Sequence, residues 1–178
     1  MIVKVNIQGA GFVDGAGDYM QGASCSLAAT PAASMRFKGF LHNGSYHSSP
    51  YSFTVESDTT VDAVFYLPIE SYLKNIVGFH VTDENIIAVL SKRGISYGDD
   101  VLNVSQKLKD LAYADILMTI ATTPDIGSAK EQMGNWSSQS AGRSLSARGE
   151  ITKIANSIYV KYGERVSMSV VSDVTNKW

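Results

Sequence analysis

The stretch Val61-Asp62-Ala63-Val64-Phe65-Tyr66-Leu67-Pro68-Ile69-Glu70-Ser71-Tyr72-Leu73-Lys74-Asn75-Ile76-Val77 decides the fold. Its first five residues follow the turn signal Asp58-Thr59-Thr60 and carry the β-branched and aromatic side chains of a strand. From Ile69 onward the apolar residues stand at Ile69, Tyr72, Leu73, Ile76 and Val77. That spacing of i, i+3, i+4, i+7 and i+8 is one stripe of an α-helix. Between the two patterns lies Leu67-Pro68, where proline ends the strand because it has no N–H for a ladder. Gly78 predicts the helix stop. A two-residue burial rhythm therefore gives way to a helical one near Pro68.

Working back toward the start, every apolar pattern is short and strand-like. Ile2–Ile7 sets Ile2, Val3, Val5 and Ile7 against Lys4 and Asn6. Gly9-Ala10-Gly11 and Gly15-Ala16-Gly17 are turn candidates, with Phe12-Val13 as a short strand between them. Cys25–Ala29 is a further strand, ended by Thr30-Pro31. Met35–Phe40 alternates apolar and basic residues and places Met35, Phe37 and Gly39 on one face. Asn43-Gly44 is a tight-turn signal, and Tyr51–Val55 alternates again. No helical period fits residues 1–67. Phe37, Phe40, Phe53, Val55, Val64 and Phe65 are the predicted core, small as befits a domain of this size.

Working forward, Thr82 or Asp83 caps a second helix with Ile86, Ile87, Val89 and Leu90 apolar and Gly94 as its stop. Asn103 or Ser105 opens a third that runs to about Ala121. Its second half is apolar nearly all round, which predicts the buried centre of a bundle. Thr122-Thr123-Pro124 ends it. Residues 124–146 are rich in glycine and serine, and a loop of that length in a compact domain is often functional. Ser146 is a candidate cap for the last helix, whose stripe is Ile151, Ile154, Ala155, Ile158, Tyr159 and Tyr162, with Gly163 as its stop. Residues 164–178 alternate weakly around Val166, Met168, Val170 and Val174, as an edge strand or an arm ordered by a neighbour does. The expectation is an α+β chain: a small all-β domain over 1–67, then an all-α four-helix domain over 68–178 with a long 124–146 loop and a C-terminal arm.

Composition narrows the function. Of 178 residues, 44% are apolar and 18% charged, which marks a folded chain rather than a disordered one. The formal charge is −2, and neither part carries the basic excess of a nucleic-acid binder: residues 1–67 hold three basic and five acidic side chains, the remainder 12 of each sign. Recognition of nucleic-acid sequence is therefore not expected. The single cysteine, Cys25, excludes an internal disulfide and a paired-cysteine metal site, and reads as a small buried side chain. No run approaches membrane-spanning length. Met1-Ile2-Val3-Lys4-Val5 lacks the basic-then-apolar order of a secretory signal. On that reading the protein is expected in the cytoplasm of its host cell or packed into a particle.

The landmarks of the first part occur in a specific order: Gly11-Phe12-Val13, Gly17-Asp18-Tyr19, Gly22, Leu27–Pro31, Phe37-Lys38-Gly39-Phe40, Ser49–Val55 and Asp58–Phe65. That order resembles one unit of the divergent internalin-B-type repeat of bacterial surface proteins. Phe40 stands where the family usually has tryptophan. The resemblance implies a small β-grasp-like domain, without catalytic residues, that serves as a spacer or recognition module. Residues 68–163 resemble a small helical family from phages and prophages of gut bacteria. The resemblance rests on Ile69–Leu73, Asp83-Glu84 with Arg93-Gly94-Ile95, Asp115–Pro124, Trp136 and Ala155–Gly163. Their helix order is also similar to that of head–tail connector (adaptor) proteins of tailed phages, which implies ring assembly through long loops and C-terminal arms.

His42 and His47 flank the Asn43-Gly44 turn and, with no third ligand near in sequence, read as an exposed loop pair rather than a metal site. The paired glycines do not open a helix, so they are no phosphate cradle, and no nucleophile elbow occurs. Asp99-Asp100 reads as the entry to the third helix, where acidic residues favour the helix dipole. Asp115, on an apolar helix, needs a partner, for which Lys153 or Arg148 is expected. No catalytic, metal-binding or cofactor-binding residue is expected, and no enzyme. The expected function is that of a non-enzymatic phage structural protein, a head–tail connector or related virion component carrying a β decoration domain. Its partners would be portal or tail proteins and further copies of itself in a ring, its place the virion or, before assembly, the host cytoplasm. Candidate interface residues are Trp136, Arg143, Met168, Val170 and Trp178, although Trp136 reads first as a staple of its own loop and only second as a partner anchor. The alternative is a cell-surface module that binds carbohydrate or protein through Tyr19, Tyr46 and Tyr51.

Overall fold

A computed structural model describes residues 1–123 and 145–165. The chain is α+β, with eight strands followed by four helices among the described residues. It forms two compact units, one of Met1–His80 with Ile95–Val104, the other of Val81–Gly94 with Ser105–Trp178. The break at Pro68 marks the change of local structure, and the first compact unit continues past it to take in one helix and one loop.

In the first unit, β1 (Ile2–Gln8), β3 (Gly17–Asp18), β5 (Arg36–His42), β6 (Ser45–His47) and β8 (Thr59–Tyr66) form a five-stranded sheet in the order β3-β1-β8-β5-β6. β1 and β8, the first and last strands, run parallel at its middle, from Val3 opposite Thr59 to Gln8 opposite Val64. β2 (Gly11–Asp14), β4 (Ser24–Pro31) and β7 (Tyr51–Thr54) form an antiparallel second sheet in the order β2-β4-β7. One core lies between the two sheets: Val3, Val61, Ala63, Phe65 and Phe40 from the first meet Cys25 and Leu27 from the second, with Val55 beside them.

Strand alternation corrects two details of the predicted core. Val64 and Phe65 are neighbours on β8, so they face opposite ways. Val61, Ala63 and Phe65 are buried, and Val64 is turned to the other face. Phe37 and Phe40 are three residues apart and by strict alternation cannot share a face, yet both pack into this core, ring centroids 4.8 Å apart. The register against β8 slips between Phe37, opposite Phe65, and Gly39, opposite Val64. This bulge adds one residue and returns Phe40 to the inside. Gly39 has a φ of 153° there, and an added Cβ would lie 3.0 Å from the Tyr46 ring and 3.1 Å from the His47 carbonyl oxygen. The predicted turn is also present. His42 pairs with Ser45 across Asn43-Gly44, whose φ values of 49° and 79° give the two-residue loop that matches strand twist.

Helix α1 (Ile69–Val77) ends at Gly78 in the left-handed conformation, as its sequence predicts. It buries Ile69, Leu73 and Val77 and leaves Ile76 exposed. Pro68 offers no side-chain cap, and the free Ile69 N–H donates to the Asp99 carbonyl at 2.8 Å.

In the second unit, α2 (Asp83–Lys92), α3 (Gln106–Thr122) and α4 (Leu145–Lys161) pack with α3 between the others. Thr82 caps α2 and Ser105 caps α3. The latter half of α3 is buried nearly all round, from Leu111 through Ala121. α4 starts one residue before the expected cap Ser146, and buries Ile151, Ala155 and Tyr159, a row four residues apart, while Ile154 is exposed. Ile87 of α2 is likewise exposed, one residue off the buried stripe.

Candidate functional site

Two clusters of polar and aromatic side chains stand out, one in each unit. In the second unit α3 carries a carboxylate, Asp115, into a buried position at 4% exposure. An unpaired charge there would cost several kcal/mol, so the helices around it supply donors. Arg93, at the end of α2, grips it side-on, with Nε 2.5 Å from Oδ2 and Nη2 3.0 Å from Oδ1. Lys92 Nζ reaches Oδ1 at 2.9 Å, and Tyr159 of α4 donates its hydroxyl to the same oxygen at 2.7 Å. The remaining Arg93 Nη1 pairs with Glu164 Oε1 at 2.6 Å. Burial pushes the Asp115 pKa up, but the hydrogen bonds from Arg93, Lys92 and Tyr159 outweigh it and leave the carboxyl below its usual range. The Tyr159 hydroxyl is pushed up by burial and by its bond to Asp115.

Lys153 and Arg148 of α4, the expected partners of Asp115, are not among those it has, and α4 supplies Tyr159 instead. Lys153 is exposed, and Arg148 Nη2 donates instead to the Thr123 carbonyl at 3.3 Å. The real pair, Lys92-Arg93, lies at the C-terminal end of α2. A lesser version of the same motif ties α3 to α4 nearby, where Asp110 accepts from Lys161 at 2.9 Å and from Tyr162 at 2.6 Å. Beside Asp115 opens a groove of about 530 Å³, walled among the described residues by Asn85, Ala88, Val89, Met118, Thr119 and Thr122.

In the first unit, the hairpin of β5 and β6 brings His42 and His47 against β7. His47 stacks on Tyr51 with ring centroids 4.0 Å apart and planes 16° from parallel. His42 Nδ1 lies 2.8 Å from the Tyr51 hydroxyl, and its ring is 5.0 Å from Phe53. The two histidines are thus half-buried members of an aromatic cluster, not the exposed loop pair their sequence suggested. Burial and then the nearby His47 hold the His42 pKa below its ordinary value.

The three tyrosines of the surface-binding alternative are not gathered on one face. Tyr19 packs against the core and donates to the Gly15 carbonyl at 2.7 Å. Tyr51 is in the aromatic cluster just described. Tyr46 alone is open, at 51% exposure, with the Lys38 ammonium 5.4 Å from its ring centre. Asp99 and Asp100 do not enter α3, which begins at Gln106. They close turns instead, Asp99 accepting from the Ser96 N–H and Asp100 from the Leu102 N–H, each at 3.0 Å. Unforeseen in the sequence is Glu70, buried on α1, which binds Arg36 Nη2 at 2.6 Å and the Gly98 N–H at 2.9 Å. Among the described residues no three His, Cys, Asp or Glu side chains are grouped to hold a metal. No described helix is long and apolar enough to cross a membrane. The candidate interface residues Trp136, Arg143, Met168, Val170 and Trp178 lie outside the described residues.

Comparison with known proteins adds one match. The family model of the divergent InlB B-repeat domain covers residues 1–67, the same stretch whose landmarks resemble that repeat. No curated protein matches the chain, and no solved structure does. The resemblance of the helical residues to phage proteins gains no support from these comparisons.

Proposed function

We propose that this chain, a divergent InlB B-repeat domain followed by helices, is a non-enzymatic assembly protein of a phage or prophage particle, in which the helices serve as a head–tail connector or related joint and the repeat domain as a decoration. The observation that carries the assembly reading is the Asp115 cluster. Its charged groups are engaged with one another: Asp115 takes four bonds from three side chains, and Arg93 gives its remaining bond to Glu164. Such a network stiffens three helices into a block. The groove beside it offers Ala88, Val89 and Met118 with a polar margin of Asn85 and Thr119, a surface suited to receiving an apolar side chain of another protein. The partners on this reading are portal or tail proteins and further copies of the chain, through residues 124–144 and 166–178. The site of action is the virion, or the host cytoplasm before assembly.

The test is to purify particles from an induced culture and quantify the chain by mass spectrometry against the portal protein. The expected result is a fixed copy ratio in intact particles and a density that electron microscopy places at the head–tail joint. A chain missing from particles and found on the cell envelope would overturn the reading. It would favour instead a surface module that binds carbohydrate or protein, for which the open Tyr46 ring is the supporting observation.

A further inference from the structure

We propose that His42 and His47, closing on Tyr51 where the outermost strands of the two sheets meet, form a latch that holds the β5–β6 hairpin to β7 at neutral pH and loosens on acidification. β6 is an edge of the five-stranded sheet and β7 an edge of the three-stranded one. Among the described residues no backbone ladder joins them, so side chains must hold this side of the sandwich shut. They include the stacked pair His47–Tyr51, the His42–Tyr51 hydrogen bond and the His42–Phe53 contact, beside the Phe40–Tyr51 ring stack, which carries no titrating group on Phe40.

The arrangement suits uncharged imidazoles. With Nε2 carrying the ring proton, His42 Nδ1 accepts from the Tyr51 hydroxyl. Protonation turns Nδ1 into a donor, and the tyrosine oxygen must then accept and lose its own outlet. It also places a cation in a half-buried aromatic cluster beside a second imidazole. The groups facing His42 are few. β6 contributes His47, and β7 contributes Tyr51 and the uncharged Phe53. On β4, Leu27 and Cys25 lie opposite Tyr51 and Phe53. Among the described residues no carboxylate is a hydrogen-bond or ion-pair partner of either histidine, so none of them compensates a positive charge there.

The sign follows from the direction of the His42 shift. Its pKa in the folded chain lies below the ordinary imidazole value of 6.5 that applies when the chain is unfolded. The neutral ring therefore stabilises the fold fully above 6.5, and that contribution is lost as pH falls through the folded-state pKa. Each unit of depression multiplies the opening constant of the latch by about ten at low pH.

The experiment uses the full chain. Histidine side-chain NMR resonances and hydrogen exchange of the Tyr51–Thr54 amides are followed from about pH 8 to about pH 5, in the wild type, His42→Phe and His47→Phe. His42 should titrate below the ordinary value in the wild type and move upward in His47→Phe, which keeps a ring on Tyr51 but removes the neighbouring imidazole. Protection of the β7 amides, corrected for intrinsic exchange, should fall with pH in the wild type and stay level in His42→Phe. A His42 midpoint at or above the ordinary value overturns the proposal, as does an equal loss of protection in the wild type and His42→Phe. If His42→Phe does not fold, the wild-type midpoint and its movement in His47→Phe decide the matter.

Discussion

Tyr159 Oη donates to Asp115 Oδ1 at 2.7 Å across 44 residues of sequence, and this bond is where α4 is fastened to the charged centre of the second unit. A buried carboxylate that accepts bonds from α2 and α4 while standing on α3 makes the three helices depend on one another.

The first expectation concerns that bond. Tyr159→Phe keeps the ring and removes the donor, and should lower the stability of the helical unit by roughly 1.5–3 kcal/mol, as loss of a hydrogen bond to a charged group does. Asp115→Asn should cost more, about 3–5 kcal/mol, because it removes the negative charge that balances Arg93 and sets an amide NH2 against the guanidinium donors. Urea denaturation followed by circular dichroism measures both. A Tyr159→Phe variant as stable as the wild type would show the bond to be incidental.

The same carboxylate sets a pH response. Its pKa in the folded chain lies below the value it takes when unfolded, so the ionised form stabilises the fold. That contribution is complete above the ordinary carboxylate range, near pH 4, and is lost as pH falls below it through the folded-state pKa. Thermal melts of the wild type should therefore steepen their decline below about pH 4, and those of Asp115→Asn should decline less. Parallel profiles would contradict the assignment.

In the first unit the ion pair of Arg36 and Glu70 is unequal, with Arg36 44% exposed and Glu70 3%. Removing the exposed member should hurt more than its exposure suggests, since Arg36→Ala strands a buried carboxylate with only the Gly98 N–H. A loss of about 3 kcal/mol is expected, and the double variant Arg36→Ala, Glu70→Gln should recover a large part of it. Chemical denaturation of the wild type, Arg36→Ala, Glu70→Gln and the double variant gives the coupling, and additive losses would refute it.

At the bulge, Gly39→Ala adds a methyl group at a backbone angle that L side chains avoid, and against the Tyr46 ring and His47 carbonyl. The strain should cost roughly 1–3 kcal/mol. It should also disturb the Phe37–Phe40 ring contact, visible as shifted aromatic resonances. An unchanged melting temperature would show that the bulge relaxes freely.

The sequence carried much of the local structure in legible form. The turn at Asn43-Gly44, the stop at Gly78 and the apolar second half of α3 each follow from chemistry within a few residues, and the caps Thr82 and Ser105 were each one of two local candidates. Whatever depended on distant neighbours was less legible. Strand alternation alone could have separated Val64 from Phe65, but the bulge that allows Phe37 and Phe40 to share a face shows only once β5 is laid against β8. The histidines read as exposed because their turn does, and β7, which covers them, comes later in the chain.

By itself the sequence determined where strands end and helices begin. Pro68 removes a ladder donor, and the spacing of apolar side chains on either side selects one backbone rhythm or the other. Only the tertiary structure decided which charges pair. Asp115 needed donors whatever the fold, but their identity depended on α2 ending beside α3, and Glu70 is buried because the Arg36 guanidinium and the Gly98 N–H converge on it. Local periodicity is set by bonds between near neighbours, whereas the partner of a buried charge is set by packing between elements far apart in the chain.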